Sequence, residues 1–195
     1  SRLTIRTLTD GGQQATDVAR WIADYLDGAQ RTLDLAQYDF HLEGDAREIV
    51  VDAIGRAAAR GVRIRLAYNV DHRNPIPVPP PPEPDVRLIA TLPVEGRAVA
   101  GVPDLMHHKY VVRDRASVWT GSMNWTNDSF TRQENVIVLV ESLELASLGA
   151  AETQTAIATI PVTPRFGPGT WRDFRLAEQY LAAGEAAMDE ALPAL

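Results

Sequence analysis

The stretch Thr32–Val70, TLDLAQYDFHLEGDAREIVVDAIGRAAARGVRIRLAYNV, decides the fold class. Thr32–Phe40 alternates and then turns aromatic, which predicts a strand at the centre of a sheet. Asp45 is placed to cap a helix, with Glu48 three residues later in capping-box register. Ala46, Ile49, Val50, Ala53, Ile54 and Ala57 then mark one face, and Gly61 ends the run. Val62–Val70 reads as a second strand. Strand, helix, strand at this spacing predicts a right-handed crossover and a parallel pair.

The same reading extends outward. Leu3–Leu8 is a short strand, and Gln13–Asp27 is a helix stopped by Gly28. Pro75–Pro84 holds so many prolines that an extended surface connector is expected, since proline fixes φ and lacks an amide donor. Val86–Leu92, His107–Arg113, Ser117–Thr120 and Asn135–Val140 read as further strands, the middle two joined by a turn at Asp114-Arg115-Ala116. Beyond Glu141 the pattern weakens to a short helix over Ser142–Ile160, a linker at Pro161–Gly169 and an amphipathic helix over Phe174–Leu192. The expectation is an α/β domain over 1–150, a mixed, mostly parallel sheet with helices on both faces, followed by a linker and C-terminal helix over 151–195.

Composition narrows the function classes. The 195 residues are 45% hydrophobic, enough for one substantial core, and no apolar run is long enough to span a membrane. Ser1–Asp10 lacks the features of a secretory signal, and the absence of cysteine excludes disulfides and thiol catalysis. The cytoplasm is the expected compartment. A net charge of −7 argues against a protein that coats nucleic acid without specificity. Of 19 basic residues only Lys109 is lysine; the rest are arginine. A lone lysine in such a chain suggests a place where a compact ammonium is wanted instead of a planar fork.

The chemistry concentrates in His107-His108-Lys109-Tyr110-Val111-Val112-Arg113-Asp114 and the following Gly121-Ser122-Met123-Asn124, the pattern H-x-K-x₄-D-x₆-G-S-x-N. Six fixed positions make it far more specific than a short glycine motif. On a strand, residues two apart share a face, so His107 and Lys109 point together while His108 points away. Ser122 and Asn124 are also two apart, after a glycine that lets the backbone approach a ligand. An imidazole, an ammonium, a hydroxyl and a carboxamide suit a phosphate: the donors offset its charge and stabilise the transition state. Neutral imidazole is a nucleophile near pH 7, so His107 can attack phosphorus and form a phosphohistidine. Glu134 is the candidate to hold the proton on the other ring nitrogen. Asp114 completes the pattern and is counted with the catalytic set, although a strand end suits a turn or salt-bridge role. The leaving alkoxide needs a proton, and His107 cannot both attack and donate, so a second histidine is required. His41 and His72 match no zinc spacing, and neither a metal nor another cofactor is expected. Asp71-His72-Arg73, after a strand's C-terminal end, is a candidate substrate contact. Trp119, Met123, Trp125 and Phe130 read as core or pocket wall.

These residues resemble the signature of the phospholipase D superfamily, His-x-Lys-x₄-Asp with a trailing Gly-Ser-x-Asn. The likeness extends upstream to Tyr38-Asp39-Phe40 and downstream to Gln133-Glu134-Asn135-Val136. The resemblance implies metal-independent phosphodiester cleavage or exchange on a phospholipid or a nucleic acid. It also implies a site built from two motif copies, one histidine attacking and the other protonating the leaving group. His107, Lys109, Ser122 and Asn124 would line it, with Glu134 orienting the histidine. Only one motif is present, so the resemblance implies either a homodimer, as in the family's single-motif nucleases, or half of a longer protein. The closing segment rich in Phe and Trp that the family carries is hard to find after Val140. Two other readings are a binding or assembly module on this fold, which would be monomeric and inert, and a metal-dependent hydrolase, which EDTA would stop.

Overall fold

The computed structural model describes residues 2–70, 83–101 and 106–142, all within one compact unit, Arg2–Val162. In chain order the elements are β1 (Arg2–Leu8), α1 (Ala15–Asp27), β2 (Thr32–Gln37), β3 (Phe40–His41), α2 (Gly44–Ala59), β4 (Arg63–Val70), α3 (Val86–Ile89), β5 (Glu95–Ala100), β6 (Lys109–Arg113), β7 (Ser117–Gly121), β8 (Trp125–Thr126), α4 (Asn127–Thr131) and β9 (Asn135–Glu141). The connector at 75–82, Asp71-His72-Arg73, the linker and both expected C-terminal helices beyond Ser142 lie outside the described residues.

The expected crossover forms: β2 and β4 are parallel, with Thr32 paired to Arg63 and Gln37 to Tyr68, and α2 bridges them. The seven-stranded sheet runs β1-β9-β7-β6-β2-β4-β5. The class is α/β as read, but the balance of directions is corrected. Parallel pairing is confined to β2–β4 and β4–β5, while β1–β9, β9–β7, β7–β6 and β6–β2 are antiparallel. One crossover does not set the direction of strands joined by tight turns. Asp114 and Arg115 both take positive φ, 56° and 54°. Such a left-handed pair closes a hairpin, and a hairpin can only be antiparallel.

Three element boundaries also differ. The strand expected over 32–40 breaks at Tyr38-Asp39, and Phe40–His41 leaves the main sheet to pair with β8. Val86–Ile89 is a helical turn, not a strand, because the Asp85 carboxylate accepts the Leu88 N–H at 2.9 Å and caps it. The strand beside β4 is instead Glu95–Ala100. Helix α2 starts at Gly44 after an N-cap at Glu43, so Asp45 lies in the first turn, where a carboxylate still favours the positive helix end.

The core lies between the helices and one face of the sheet. Val18, Ile22 and Leu26 of α1 and Val50 and Ile54 of α2 pack on Leu33, Leu35, Leu66 and Trp119. Tyr25 pins α1 to the β6–β7 hairpin: its hydroxyl donates to the Val111 carbonyl at 3.2 Å and lies 3.0 Å from Ser117 Oγ, and burial pushes its pKa up to about 12. The opposite face carries Ala36, Ala67, Tyr110, Val112 and Val118, plus a buried Arg65–Asp34 ion pair set directly across the parallel register. Both long described helices, α1 and α2, contribute to the first core. Among the described residues every helix packs into this first core, so the expected placement of helices on both faces is not seen there. No described helix is long and apolar enough to cross a membrane.

Two residues fix the hairpin that carries the motif. The Asp114 carboxylate accepts the backbone N–H groups of Gln30, Arg31 and Thr32 at 2.9, 2.7 and 2.9 Å, tying the turn to the start of β2. At the other end, Gly121 has φ 143°, and a Cβ there would overlap the carbonyl oxygen of Val136 on β9.

Two outcomes follow. Burial alone would raise the Asp114 carboxyl, but the three N–H donors outweigh it and hold its pKa below the ordinary 3.8. Its contribution is therefore present above that value and lost as pH falls through the depressed one. Asp114→Asn should lower urea-unfolding stability by roughly 2 kcal/mol at pH 7, and the gap between variant and parent should close in strong acid. Gly121→Ala should cost roughly 2–4 kcal/mol in the same assay at any pH, because β7 and β9 must separate to admit the methyl group.

Candidate active site

Because β6 runs antiparallel to β2, the start of β6 lies at the end of β2, with Gln37 opposite Lys109. Pairing continues one step past the strand: the Tyr38 N–H donates to the His108 carbonyl at 2.8 Å. His107 and Lys109 are thereby held extended, and both side chains meet the ring of Tyr38. The His107 ring stands edge-on to it with centroids 4.6 Å apart, and Lys109 Nζ lies 5.0 Å from its centroid. Nζ also donates to the His107 carbonyl at 3.0 Å. His108 turns the other way, its ring against Tyr110 at 5.8 Å.

Neighbouring segments fix this pair. The Asn69 amide oxygen, fully buried at the end of β4, accepts the Met106 N–H at 3.0 Å just before His107. Thr120 Oγ1 donates to the Lys109 carbonyl at 3.1 Å, and Tyr110 pairs with Thr120, so Lys109 and Gly121 leave the sheet side by side. This brings the Gly121–Asn124 segment to the same edge. The Asn124 side chain makes no hydrogen bond to a described residue, and its Oδ1 is buried without a partner. Ser122 is engaged differently from the phosphate-donor role expected of it. Its hydroxyl donates to Asn135 Oδ1 at 2.8 Å and accepts the Val136 N–H at 3.0 Å, while its own N–H goes to the Val136 carbonyl at 3.0 Å. Ser122 as it stands locks the loop onto β9.

Two expected members lie apart from the pair. Asp114 sits at the far end of β6, where its carboxylate accepts the N–H groups of Gln30, Arg31 and Thr32 and holds the hairpin turn. Glu134 is exposed and makes no hydrogen bond or ion pair among the described residues, and no hydrogen bond among them reaches the His107 ring. Within one chain the expected Glu134–His107 contact is not made.

Four polar residues at this edge escaped the sequence reading as site residues. Gln37 and Asp39 are 1% and 4% exposed and, like Asn69, each keeps one polar atom without a hydrogen bond. Asn135 holds Ser122 through one end of its amide and the Ser129 carbonyl through the other, at 3.0 Å. The only signal for Asp39 was its place in the Tyr38-Asp39-Phe40 run. The large apolar residues around the motif are core: Trp119, Met123, Trp125 and Phe130 are all buried.

Electrostatics favour a neutral nucleophile beside a cation. Burial, then Lys109 and His108, lower the His107 pKa below the ordinary 6.5. Burial lowers Lys109 to about 8, opposed by Asp39, and burial raises Asp39 to about 6, opposed by His41 and Lys109. At neutral pH the imidazole is therefore uncharged, while the ammonium and the carboxylate are both largely ionised. The described residues contain no group of three His, Asp or Glu set to hold a metal ion.

Comparison with known proteins agrees with this arrangement. The family profile described as "Cardiolipin synthase, PLD-like domain" matches residues 22–155, more than half of the chain. The phospholipase D of Rickettsia conorii (strain ATCC VR-613 / Malish 7) is 25% identical over 127 residues, 65% of this chain and 58% of that protein. The mitochondrial cardiolipin hydrolase of Chlamydomonas reinhardtii is 29% identical over 133 residues, 68% of this chain and 54% of that protein. The chain thus spans little more than half the length of these curated relatives. Among solved structures, the phospholipase D family member Nuc from Salmonella typhimurium matches with TM-score 0.60 at 19% identity, over 80% of this chain and 94% of that one. NucT from Helicobacter pylori matches with TM-score 0.59 at 15% identity, over 80% and 97%. The His-x-Lys pair seated on Tyr38, the fold around it and the matched profile together place this chain in the phospholipase D-like family.

Proposed function

We propose that the chain is a phosphodiesterase of phospholipase D type that works through a covalent phosphohistidine, with phospholipid the favoured substrate. The observation that carries the reading is that His107 and Lys109 both meet the ring of Tyr38. The names of the matched relatives and the acidic net charge support a lipid diester over nucleic acid.

In the proposed reaction, His107 Nε2 attacks phosphorus, an N–P bond forms and the P–O bond to the leaving alcohol breaks. The alkoxide takes its proton from the imidazolium of a second motif copy. A water then attacks phosphorus, that same imidazole accepts its proton, and the N–P bond breaks to release a phosphomonoester and free His107. Lys109 and the Asn124 amide hold the non-bridging oxygens, and their positive ends meet the charge that builds there. Tyr38 backs the imidazole and limits its rotation. The second histidine comes from another copy of the chain in a homodimer. Glu134, free of contacts among the described residues, is available to orient a histidine in such an assembly.

On bis-p-nitrophenyl phosphate, His107→Asn should lower turnover at least about a thousandfold with the fold retained by circular dichroism. Acid-labile phosphate should be trapped on the parent protein alone. Turnover should survive EDTA, and cleavage of cardiolipin or phosphatidylcholine vesicles should exceed that of single-stranded DNA. Vesicles left intact while DNA is cut would reverse the substrate, and a sedimenting monomer with no turnover on any diester would leave a binding module. The acid limb of kcat/KM should lie below pH 6.5, because the lowered His107 pKa keeps the imidazole unprotonated down to that limb.

A further inference from the structure

Lys109, the one lysine of the chain, is half-buried, and none of the ion pairs among the described residues includes it. The described contacts of its ammonium are the His107 carbonyl at 3.0 Å and the Tyr38 ring at 5.0 Å, both uncharged. A carbonyl and a ring face satisfy part of its donor capacity and leave a full charge partly removed from water, which is costly. A partner of opposite sign is needed nearby.

Asp39 stands in the right place. It follows Tyr38 directly at the point where β2 breaks, and its carbonyl accepts the Trp125 N–H at 3.0 Å. It therefore joins the residue beneath His107 and Lys109 to the segment that carries Asn124. Its side chain is buried, and Oδ1 has no hydrogen-bond partner, so this carboxylate oxygen is not spent on a local donor. A buried carboxylate normally finds donors; this one does not, and it directly follows the tyrosine whose ring the unpaired ammonium meets. We propose that Asp39 is a positioning residue of the site, whose negative charge holds Lys109 as an ammonium where a substrate phosphate will meet it.

The titration behaviour agrees in sign. Among the groups that face Lys109, Asp39 is the one that opposes the drop to about 8 that burial causes. Burial raises Asp39 to about 6, opposed first by His41, which is half-exposed with Glu43 3.7 Å away, and then by Lys109. His107 and Tyr38, the other titratable groups against Lys109, are uncharged at neutral pH. Below about 6 Asp39 takes a proton, yet Lys109 stays charged because the pH is far under its own value. Above about 8 Lys109 loses its proton. Asp39 therefore matters most in the upper part of this range, where it delays deprotonation of the lysine.

This assignment rests on reading Lys109 as the cation for phosphate, but it is testable without turnover. Protein labelled with ¹³C-lysine gives a single side-chain titration. In the parent it should have its midpoint near 8, and Asp39→Asn, checked for fold by circular dichroism, should lower that midpoint by about one pH unit or more. On bis-p-nitrophenyl phosphate the alkaline limb of kcat/KM should move down with it. The two proteins should converge below pH 6, where the parent's Asp39 is itself protonated. A lysine midpoint that does not move, or a rate lowered equally at all pH, overturns the assignment. A midpoint that moves in a protein inert on every diester upholds it and removes the phosphodiesterase reading instead. Should Asp39→Asn fail to fold, Lys109→Met is read from the other side, through the aspartate carboxyl that titrates near 6. That titration should rise by about one pH unit, and an unmoved carboxyl refutes the pairing.

Discussion

The antiparallel seat of β6 against β2 is the constraint on which the site depends. Had β6 run the other way, the His-x-Lys pair would emerge at the edge where Asp114 now sits, far from the end of β4. As built, the ends of the parallel strands β2 and β4 meet the start of β6 and the end of β7. The bond from Tyr38 N–H to His108 extends that pairing beyond the last residue of β2 and keeps the histidine backbone straight. Strand geometry does the rest, since alternate residues of an extended chain fall on one side.

That edge is polar, and part of its polar set is buried. Gln37, Asp39 and Asn69 are buried next to a core of Phe40, Leu42, Trp125 and Phe130. Charges in such surroundings act on one another more strongly than in water, and small displacements matter correspondingly more. Side chains from β4, β7 and β9 hold the segments against such displacement: Asn69 on Met106, Thr120 on Lys109 and Asn135 on Ser122. Short polar tethers thus provide the rigidity that an electrostatic site needs.

The sequence made legible what depends on local order. β4, β6, β7 and β9 alternate between apolar and polar positions or run apolar, and they formed within two residues of their expected bounds. His107 and Lys109 were found because their spacing alone encodes a shared face. The rest depends on meetings of distant segments. β5, Glu95-Gly-Arg-Ala-Val-Ala, lies at the edge of the sheet with mostly exposed residues, so no apolar pattern marks it. Val86–Leu92 looked extended because its apolar residues are contiguous, yet a single aspartate cap turns it into a helix. Sheet direction was extrapolated from one crossover to strands joined by a hairpin. In the site, Asp39 and Asn135 draw their meaning from partners in other segments, and no local pattern announces such partners. Ser122 was assigned to phosphate from its spacing, whereas the structure gives its hydroxyl to β9.

The unequal use of lysine and arginine has a practical side. Amine-reactive reagents attack the free base, and the half-buried Lys109, with its pKa near 8, supplies much more of it at neutral pH than an ordinary surface lysine. Arginine side chains do not compete in such acylations. Apart from the amino terminus, the chain therefore offers a reagent of this kind one side-chain target, and that target lies beside the motif histidine. Sequence economy has left the protein with a built-in handle for covalent probes of its own cleft.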